Sequence, residues 1–375
     1  MKYIDEFRQK GIAHGILQKI HDISRKRVTI MEICGTHTHT ISRYGIRNSL
    51  PPHVRLISGP GCPVCVTSPG DINRIIEFCK REKDTIIATF GDMMRVPGSE
   101  SSLQEQKAMG KDIRVVYSPL GALDIATANP EKEVILYAVG FETTVPTIAV
   151  TILLAREKGI RNLSAFALHK LTPPAMKALL DSGEIDLHGF LCPGHVTAII
   201  GAGAYKFLAE DYHAPCVVAG FEPLDAIHGI YMLIRQLEEN RTEIEIQYKR
   251  VVTWEGNTKA QKIIEEVFEI CDSNWRGIGM IPVSGLKLKS TFADFDAEKK
   301  FSLENTANED LRGCACGDVL KGLITPGQCS FFGKTCTPET PIGPCMVSFE
   351  GTCAAYYKYN LSHVLHPPLT PYASS

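Results

Sequence analysis

Val134-Ile135-Leu136-Tyr137-Ala138-Val139-Gly140-Phe141-Glu142-Thr143-Thr144 decides the fold. An unbroken apolar run stops at a glycine, and a helical pattern then occupies Val145 to Lys158. Such a run reads as a parallel strand buried on both faces, followed by its crossover helix. The same punctuation recurs at Arg55 to Ser58 before Gly59, Thr85 to Phe90 before Gly91, and Cys216 to Ala219 before Gly220. Helical segments at Asp71 to Arg81, Pro174 to Asp181 and Leu224 to Asn240 alternate with these runs, as in βαβ units, and predict an α/β fold. Val139-Gly140-Phe141-Glu142 returns, one residue changed, as Ala219-Gly220-Phe221-Glu222, which points to two similarly built halves.

The 375 residues exceed the ~250–300 at which single cores stop growing. Two Rossmann-like parallel-sheet domains are expected, 1–140 and 141–290, with a small cysteine-rich module at 291–375. The N-terminal helix is expected to pack on that module, or part of the module to return to the first domain. Leu365 to Ser375, rich in Pro and Ser, reads as a loosely ordered tail. In open α/β sheets the loops at the carboxyl ends of the strands form the ligand crevice, so the glycine turns should converge there.

Lys+Arg of 40 against Asp+Glu of 42 leaves a net charge of -2, with no run of one sign, so nucleic acid is not an expected partner. Met1 to Lys10 lacks the apolar core of a secretory signal, and apolar stretches such as Ile148 to Ala155 fall short of the ~20 residues that span a bilayer. A cytoplasmic protein without a membrane partner is expected. There the 13 cysteines point to metal or redox work rather than structural disulfides.

Four constellations carry that chemistry. In Met31-Glu32-Ile33-Cys34-Gly35-Thr36-His37 a cysteine and a histidine can face one point if Gly35 allows a tight turn. A buried structural cysteine with a surface histidine is the alternative. Gly59-Pro60-Gly61-Cys62-Pro63-Val64-Cys65 places two thiols at a strand end, spaced to share one metal or one reversible disulfide. Polar residues close other strands: Asp92, Glu142 with Thr143 and Thr144, His195 in Cys192-Pro193-Gly194-His195, and Glu222. Each is either a helix cap or an acid-base group beside a cysteine-metal site. Finally Cys314, Cys316, Cys329, Cys336, Cys345 and Cys353 fall within 40 residues. Their spacing is too irregular for paired zinc knuckles but suits four thiolates around an iron-sulfur cluster, with a surplus dithiol beside it. A structural zinc site with bystander cysteines is the other reading. Cys79, Cys216 and Cys271 read as packing residues.

Cys34-Gly35-Thr36-His37, Gly61-Cys62-Pro63-Val64-Cys65, Phe90-Gly91-Asp92-Met93-Met94-Arg95-Val96-Pro97-Gly98, Gly140-Phe141-Glu142-Thr143-Thr144, Pro193-Gly194-His195-Val196 and Pro341-Ile342-Gly343-Pro344-Cys345-Met346-Val347-Ser348 occur in that order. This succession, spanning residues 31 to 357, resembles the HypD family of nickel-iron hydrogenase maturation factors. The resemblance implies a scaffold on which iron acquires cyanide and carbon monoxide ligands. It implies the small chaperone HypC as partner, HypE as cyanide donor, and the hydrogenase large subunit as recipient through HypC. It also implies that Cys34, Cys62 and Cys65 hold the iron, with His37, Asp92, His195 and Glu350 as supporting polar groups, and that the C-terminal module carries a 4Fe-4S cluster. For that cluster we favour Cys316, Cys329, Cys336 and Cys353, leaving Cys345 as a substitute or half of a redox pair, and Cys314 as the least compelling. An iron-sulfur-dependent thiol-disulfide oxidoreductase is the competing function, and a zinc-stabilised binding module a third. Cys34 beside His37 argues against a plain dithiol relay.

Overall fold

A computed structural model describes residues 5–303 and 313–365. The strands in chain order are β1 (Val28–Glu32), β2 (Val54–Ser58), β3 (Thr85–Thr89), β4 (Asp112–Val115), β5 (Glu133–Gly140), β6 (Leu163–Lys170), β7 (Gly189–Pro193), β8 (Cys216–Ala219), β9 (Ile244–Ile246), β10 (Phe268–Trp275) and β11 (Gly279–Leu288). They form two sheets. The first, ordered β2-β1-β7-β8-β9, is wholly parallel. The second, ordered β10-β11-β6-β5-β3-β4, is parallel from β6 to β4 and ends in the antiparallel hairpin β10–β11.

The stretch that decided the fold behaves as read. β5 is buried from Val134 to Gly140 because helices cover both faces of its sheet. One face lies under the helix Val145–Glu157, which buries Val145, Ile148, Ala149, Ile152 and Ala155. The other lies under Pro69–Arg81, whose Ile72, Ile75, Ile76 and Cys79 follow helical spacing. Ser68 starts that helix by accepting the Asp71 amide at 3.1 Å.

The sheets do not follow the sequential division at residue 140. The chain lays down β1 and β2 in the first sheet and β3 to β6 in the second. It returns for β7 to β9, then closes the second sheet with β10 and β11. Parallel strands need crossovers, and a crossover can leave one sheet for another without any local mark in the strand. The N-terminal helix Lys10–Ile23 packs on Pro223–Glu238 through Ile16, Leu17 and Ile20. The C-terminal helix Thr352–Leu365 does come back to the start of the chain, packing on Gly35–Arg43. The tail read at Leu365 to Ser375 lies, from residue 366, outside the described residues. Among the described residues no helix is long and apolar enough to cross a membrane.

Each sheet has one topological switch point. In the first, the chain leaves β1 for β2 on one side, while β7, β8 and β9 extend on the other. In the second, β3 leads outward to β4, and β5 leads to β6. Crevices open at such points, at the carboxyl ends of the strands. The loops at these ends meet, because Cys62, Cys65, Phe141, Val196 and Trp275 share one apolar cluster with Cys316 and Cys345.

Candidate functional site

Cys34 follows β1 and caps the helix Gly35–Arg43, so its sulfur sits at the first switch point. Thr36 and His37, in the first turn of that helix, lower the Cys34 thiol. Burial and the neighbouring Glu350 outweigh them and push the thiol up to about 12. His195, which follows β7 on the other side of the switch, brings Nδ1 to 3.9 Å of the Cys34 sulfur.

The CxxC loop lies against this corner through backbone. The Gly35 amide donates to the Gly61 carbonyl at 3.0 Å, and a Cβ on Gly61 would collide with the Cys34 backbone. Cys62 then caps the short helix Pro63–Val66, accepting the Cys65 amide at 3.3 Å. The two sulfurs stand 2.7 Å apart, inside van der Waals contact and longer than the ~2.05 Å of a disulfide. Both are buried, and burial drives the Cys65 thiol well above its ordinary range.

The segment Ser348 to Gly351 closes the corner from the C-terminal side. Thr36 donates to Glu350 Oε1 at 2.9 Å, and Ser348 donates to Asp92 Oδ2 at 2.8 Å. With the Glu350 amide donating to Ser348 Oγ at 3.2 Å, Asp92, Ser348, Glu350 and Thr36 thus form one hydrogen-bonded chain that ends beside Cys34. Burial, opposed by the Thr36 bond and aided by Asp92, raises the Glu350 carboxyl.

His37 stands elsewhere. Its Nε2 donates to the Gly220 carbonyl at 2.8 Å, a bond that requires the proton on that nitrogen. The expected Cys34–His37 pairing is therefore replaced by Cys34–His195, and His37 supports from behind by packing on Phe221, as His195 does. Burial pushes both imidazoles down to about 4.

The six C-terminal cysteines line one small cavity with Val319, Phe331, Phe332 and Met346. Cys316 and Cys345 bring their sulfurs within 2.8 Å. Cys345 also reaches Cys65 and Cys353, so thiols run continuously from Cys62 through Cys65 and Cys345 to Cys316 and Cys314. Among the described residues no three Cys, His, Asp or Glu side chains converge tightly enough to hold a single ion. A cubane cluster asks for something different, one thiolate per iron spread around its perimeter.

Glu222 and Glu142 leave the site. Glu222 pairs with Arg8 at 2.6 Å. Glu142 receives the Thr172 amide at 2.7 Å and hydroxyl at 3.1 Å. Glu32 was missed by motif reading. It is fully buried beneath Cys34, accepts from Thr38 at 2.8 Å and Ser58 at 2.5 Å, and is pushed up to about 7 by burial. A charged residue inside the run Val28–Glu32 was the available signal.

The family model described as "Hydrogenase formation hypA family", HypD, matches residues 11–360. Hydrogenase maturation factor HypD2 of Bradyrhizobium diazoefficiens is 49% identical over 369 residues, 96% of this chain and 97% of that protein. The maturation factor HypD of Rhizobium leguminosarum bv. viciae is 47% identical over 96% of both chains. The HypD of Escherichia coli is 42% identical over 96% of this chain and 98% of its own.

Proposed function

The chain belongs to the HypD family of hydrogenase maturation factors, and from that premise we propose that it holds the iron of nickel-iron hydrogenase while cyanide and carbon monoxide are attached. HypC is its docking partner, HypE the cyanide donor, and the hydrogenase large subunit the recipient through HypC. The observation that carries this reading is the backbone contact of Cys34 with the Cys62–Cys65 loop, with His195 and Glu350 against the same sulfur.

Iron is the cargo. Soft thiolates suit low-spin iron with strong-field diatomic ligands. Cys34 is a thiol as the protein stands, so loading iron must expel its proton. Thr36 and His37 favour the thiolate against burial, and His195 Nδ1, 3.9 Å from the sulfur, is within reach of the released proton.

The dithiols serve electron supply. Cys345 as thiolate attacks Cys65 of a Cys62–Cys65 disulfide and releases Cys62; Cys316 then attacks Cys345 and releases Cys65. The disulfide moves from Cys62–Cys65 to Cys316–Cys345, two electrons move the other way, and proton count is unchanged. Because Cys316 pairs with Cys345 at 2.8 Å, we assign the 4Fe-4S ligands to Cys314, Cys329, Cys336 and Cys353, exchanging Cys314 for the Cys316 favoured from spacing. The donor set fits, since all six sulfurs face one largely apolar cavity. When bound, such a cluster supplies single electrons.

Infrared spectroscopy tests the proposal. Protein isolated anaerobically with its partners should show cyanide and carbonyl stretches. Cys34→Ala, Cys62→Ala and Cys65→Ala should each abolish them, while Cys79→Ala and Cys271→Ala should not. A full band pattern in Cys62→Ala and Cys65→Ala would move the function to the thiol oxidoreductase.

A further inference from the structure

Residues 247–257 follow the edge strand β9 and run along the helix Gly194–Ile200, which carries His195 near its start. None of the sequence motifs includes this segment. It is tied down along its whole length. The amides of Gln247 and Tyr248 donate to the Val218 carbonyl at 2.9 and 3.2 Å, and the Gly220 amide donates to Gln247 Oε1 at 3.1 Å. Asp225, wholly buried, receives Gln247 Nε2 at 2.9 Å and the Arg250 guanidinium at 2.9 and 2.5 Å. Farther on, the Thr253 and Trp254 carbonyls accept the amides of Ala202 and Gly203 at 3.2 and 3.0 Å. The Asn257 amide then donates to the Ile199 carbonyl at 3.0 Å. The segment is thus a strap fastened at both ends of the His195 helix.

Tyr248 is where the strap meets the site. A Cβ on Gly194 would come within 2.7 Å of one edge of its ring, at Cδ1, and a Cβ on Gly220 within 2.6 Å of the opposite edge, at Cδ2. The ring fills a slot that is open only because a glycine follows both β7 and β8. It also meets Phe221 edge to face, centroids 6.2 Å apart, and Phe221 meets the His195 ring at 5.1 Å. We infer that Tyr248 is a positioning residue, which wedges the His195 turn toward Cys34 and so fixes the 3.9 Å approach of Nδ1 to the sulfur. The inference rests on the reading of Cys34 as the iron-holding thiol. When iron binds there, the S–H bond breaks, the S–Fe bond forms and the proton passes to His195. A misplacement of about 1 Å can slow a positioned step by up to about a hundredfold, so the turn must be held. Both glycine contacts are made by ring carbons, so the ring rather than the hydroxyl does the holding.

The test compares Tyr248→Phe, which keeps the ring, with Tyr248→Ala and the bulkier Tyr248→Leu, neither of which can reach both glycines. Trp254→Ala, which trims the far end of the strap, is the control. Full-length proteins with isotope-labelled histidine are compared by nuclear magnetic resonance, the His195 ring signals being assigned through His195→Gln. Those signals should coincide in wild type, Tyr248→Phe and Trp254→Ala, and move in the alanine and leucine variants of Tyr248. In protein isolated anaerobically with its partners, the cyanide and carbonyl bands per chain should be about tenfold weaker in those two variants and within about twofold of wild type in the others. Unmoved His195 signals in the alanine and leucine variants would overturn the inference. So would equal displacement by Tyr248→Phe, which assigns the effect to the hydroxyl, or by Trp254→Ala, which assigns it to the strap as a whole. Moved signals with undiminished bands would overturn the part that His195 placement plays in loading. Wild-type protein without bands would instead overturn the iron reading, and the histidine signals alone would then decide whether Tyr248 places His195.

Discussion

Two strands end in nearly the same text, and the molecule uses the copies differently. Val139-Gly140-Phe141-Glu142 closes β5, and Ala219-Gly220-Phe221-Glu222 closes β8. Phe141 is buried against Trp275, with ring centroids 5.9 Å apart, in the cluster that holds the thiol chain. Phe221 lies instead between the imidazoles of His37 and His195, at 4.9 and 5.1 Å, behind Cys34. Glu142 is buried at the start of the helix Thr172–Ser182, where it accepts the Thr172 amide, while Glu222 reaches outward to Arg8. The repeated residues set a backbone path from strand to helix. Chemistry enters with what other segments bring to each end: thiols to the β5 end, a lone thiol with histidines to the β8 end.

The largest effects should separate these ends completely. With Cys62–Cys65 oxidised, exchange should run through to a Cys316–Cys345 disulfide in Cys34→Ala and stall at the Cys65–Cys345 mixed disulfide in Cys316→Ala, as read by mass spectrometry of alkylated peptides. Equal exchange in both variants would break the division of labour. A smaller difference is expected for partner capture. Cys34→Ala should lose most of its iron-dependent association with HypC, whereas Cys345→Ala, at the thiol end, should retain it. Undiminished capture by Cys34→Ala would place the HypC contact elsewhere.

Strand-end chemistry was legible because it is local: glycine after an apolar run, then Cys34, the CxxC pair or the repeated Phe-Glu. What pairs with what was not. The spacing of Cys34 and His37 suggested a partnership, yet the ring that meets the sulfur is His195, 161 positions away. The interleaving of the sheets left no mark either, because each buried strand has the same apolar composition whichever sheet it joins. β6 and the hairpin β10–β11 escaped detection since they end or alternate with polar residues, such as His169 and Lys170, that tertiary packing buries. Irregular cysteine spacing indicated a sulfur-rich cavity but not that Cys316 and Cys345 would pair across it.

The two glycines of the repeat offer a graded test of how tightly each end is built. A Cβ on Gly140 would collide chiefly with the Thr144 hydroxyl, which can rotate away at the loss of its 3.0 Å bond to the Phe141 carbonyl, and more lightly with the Thr144 Cβ, which a small shift relieves. Gly140→Ala should therefore cost about 1 kcal/mol, the net worth of such a bond. A Cβ on Gly220 would meet the Asp225 carboxylate and the Tyr248 ring. Asp225 cannot yield, because Arg250 holds it at 2.5 and 2.9 Å and Gln247 at 2.9 Å. Gly220→Ala should cost about 3 kcal/mol, the upper end of overpacking. Denaturant midpoints of the two variants decide it, and equal losses would show the ends to be equally stiff.

The glutamates give the finest distinction. Burial pushes the Glu142 carboxyl up from 4.5 to about 7, outweighing the bonds from Thr172. A folded-state value above the unfolded one means that the folded protein binds the proton more tightly. Its contribution to stability is then fully present below pH 4.5 and is lost as pH rises through about 7. By pH 8 the charged carboxylate, with Oε2 lacking any bond among the described residues, should destabilise the fold by roughly 3 kcal/mol relative to its neutral form. Glu142→Gln keeps an oxygen for Thr172 and cannot ionise. Measured by denaturant unfolding, it should match wild type near pH 4.5 and become progressively more stable than wild type up to pH 8. A difference that stays flat across this range would mean that the carboxyl is not held in its neutral form by burial. Glu222→Gln, by contrast, removes only an ion pair whose Arg8 partner is 44% exposed. Its cost should stay below about 1 kcal/mol, so one letter of the repeated text is worth several times more at the buried end than at the open one.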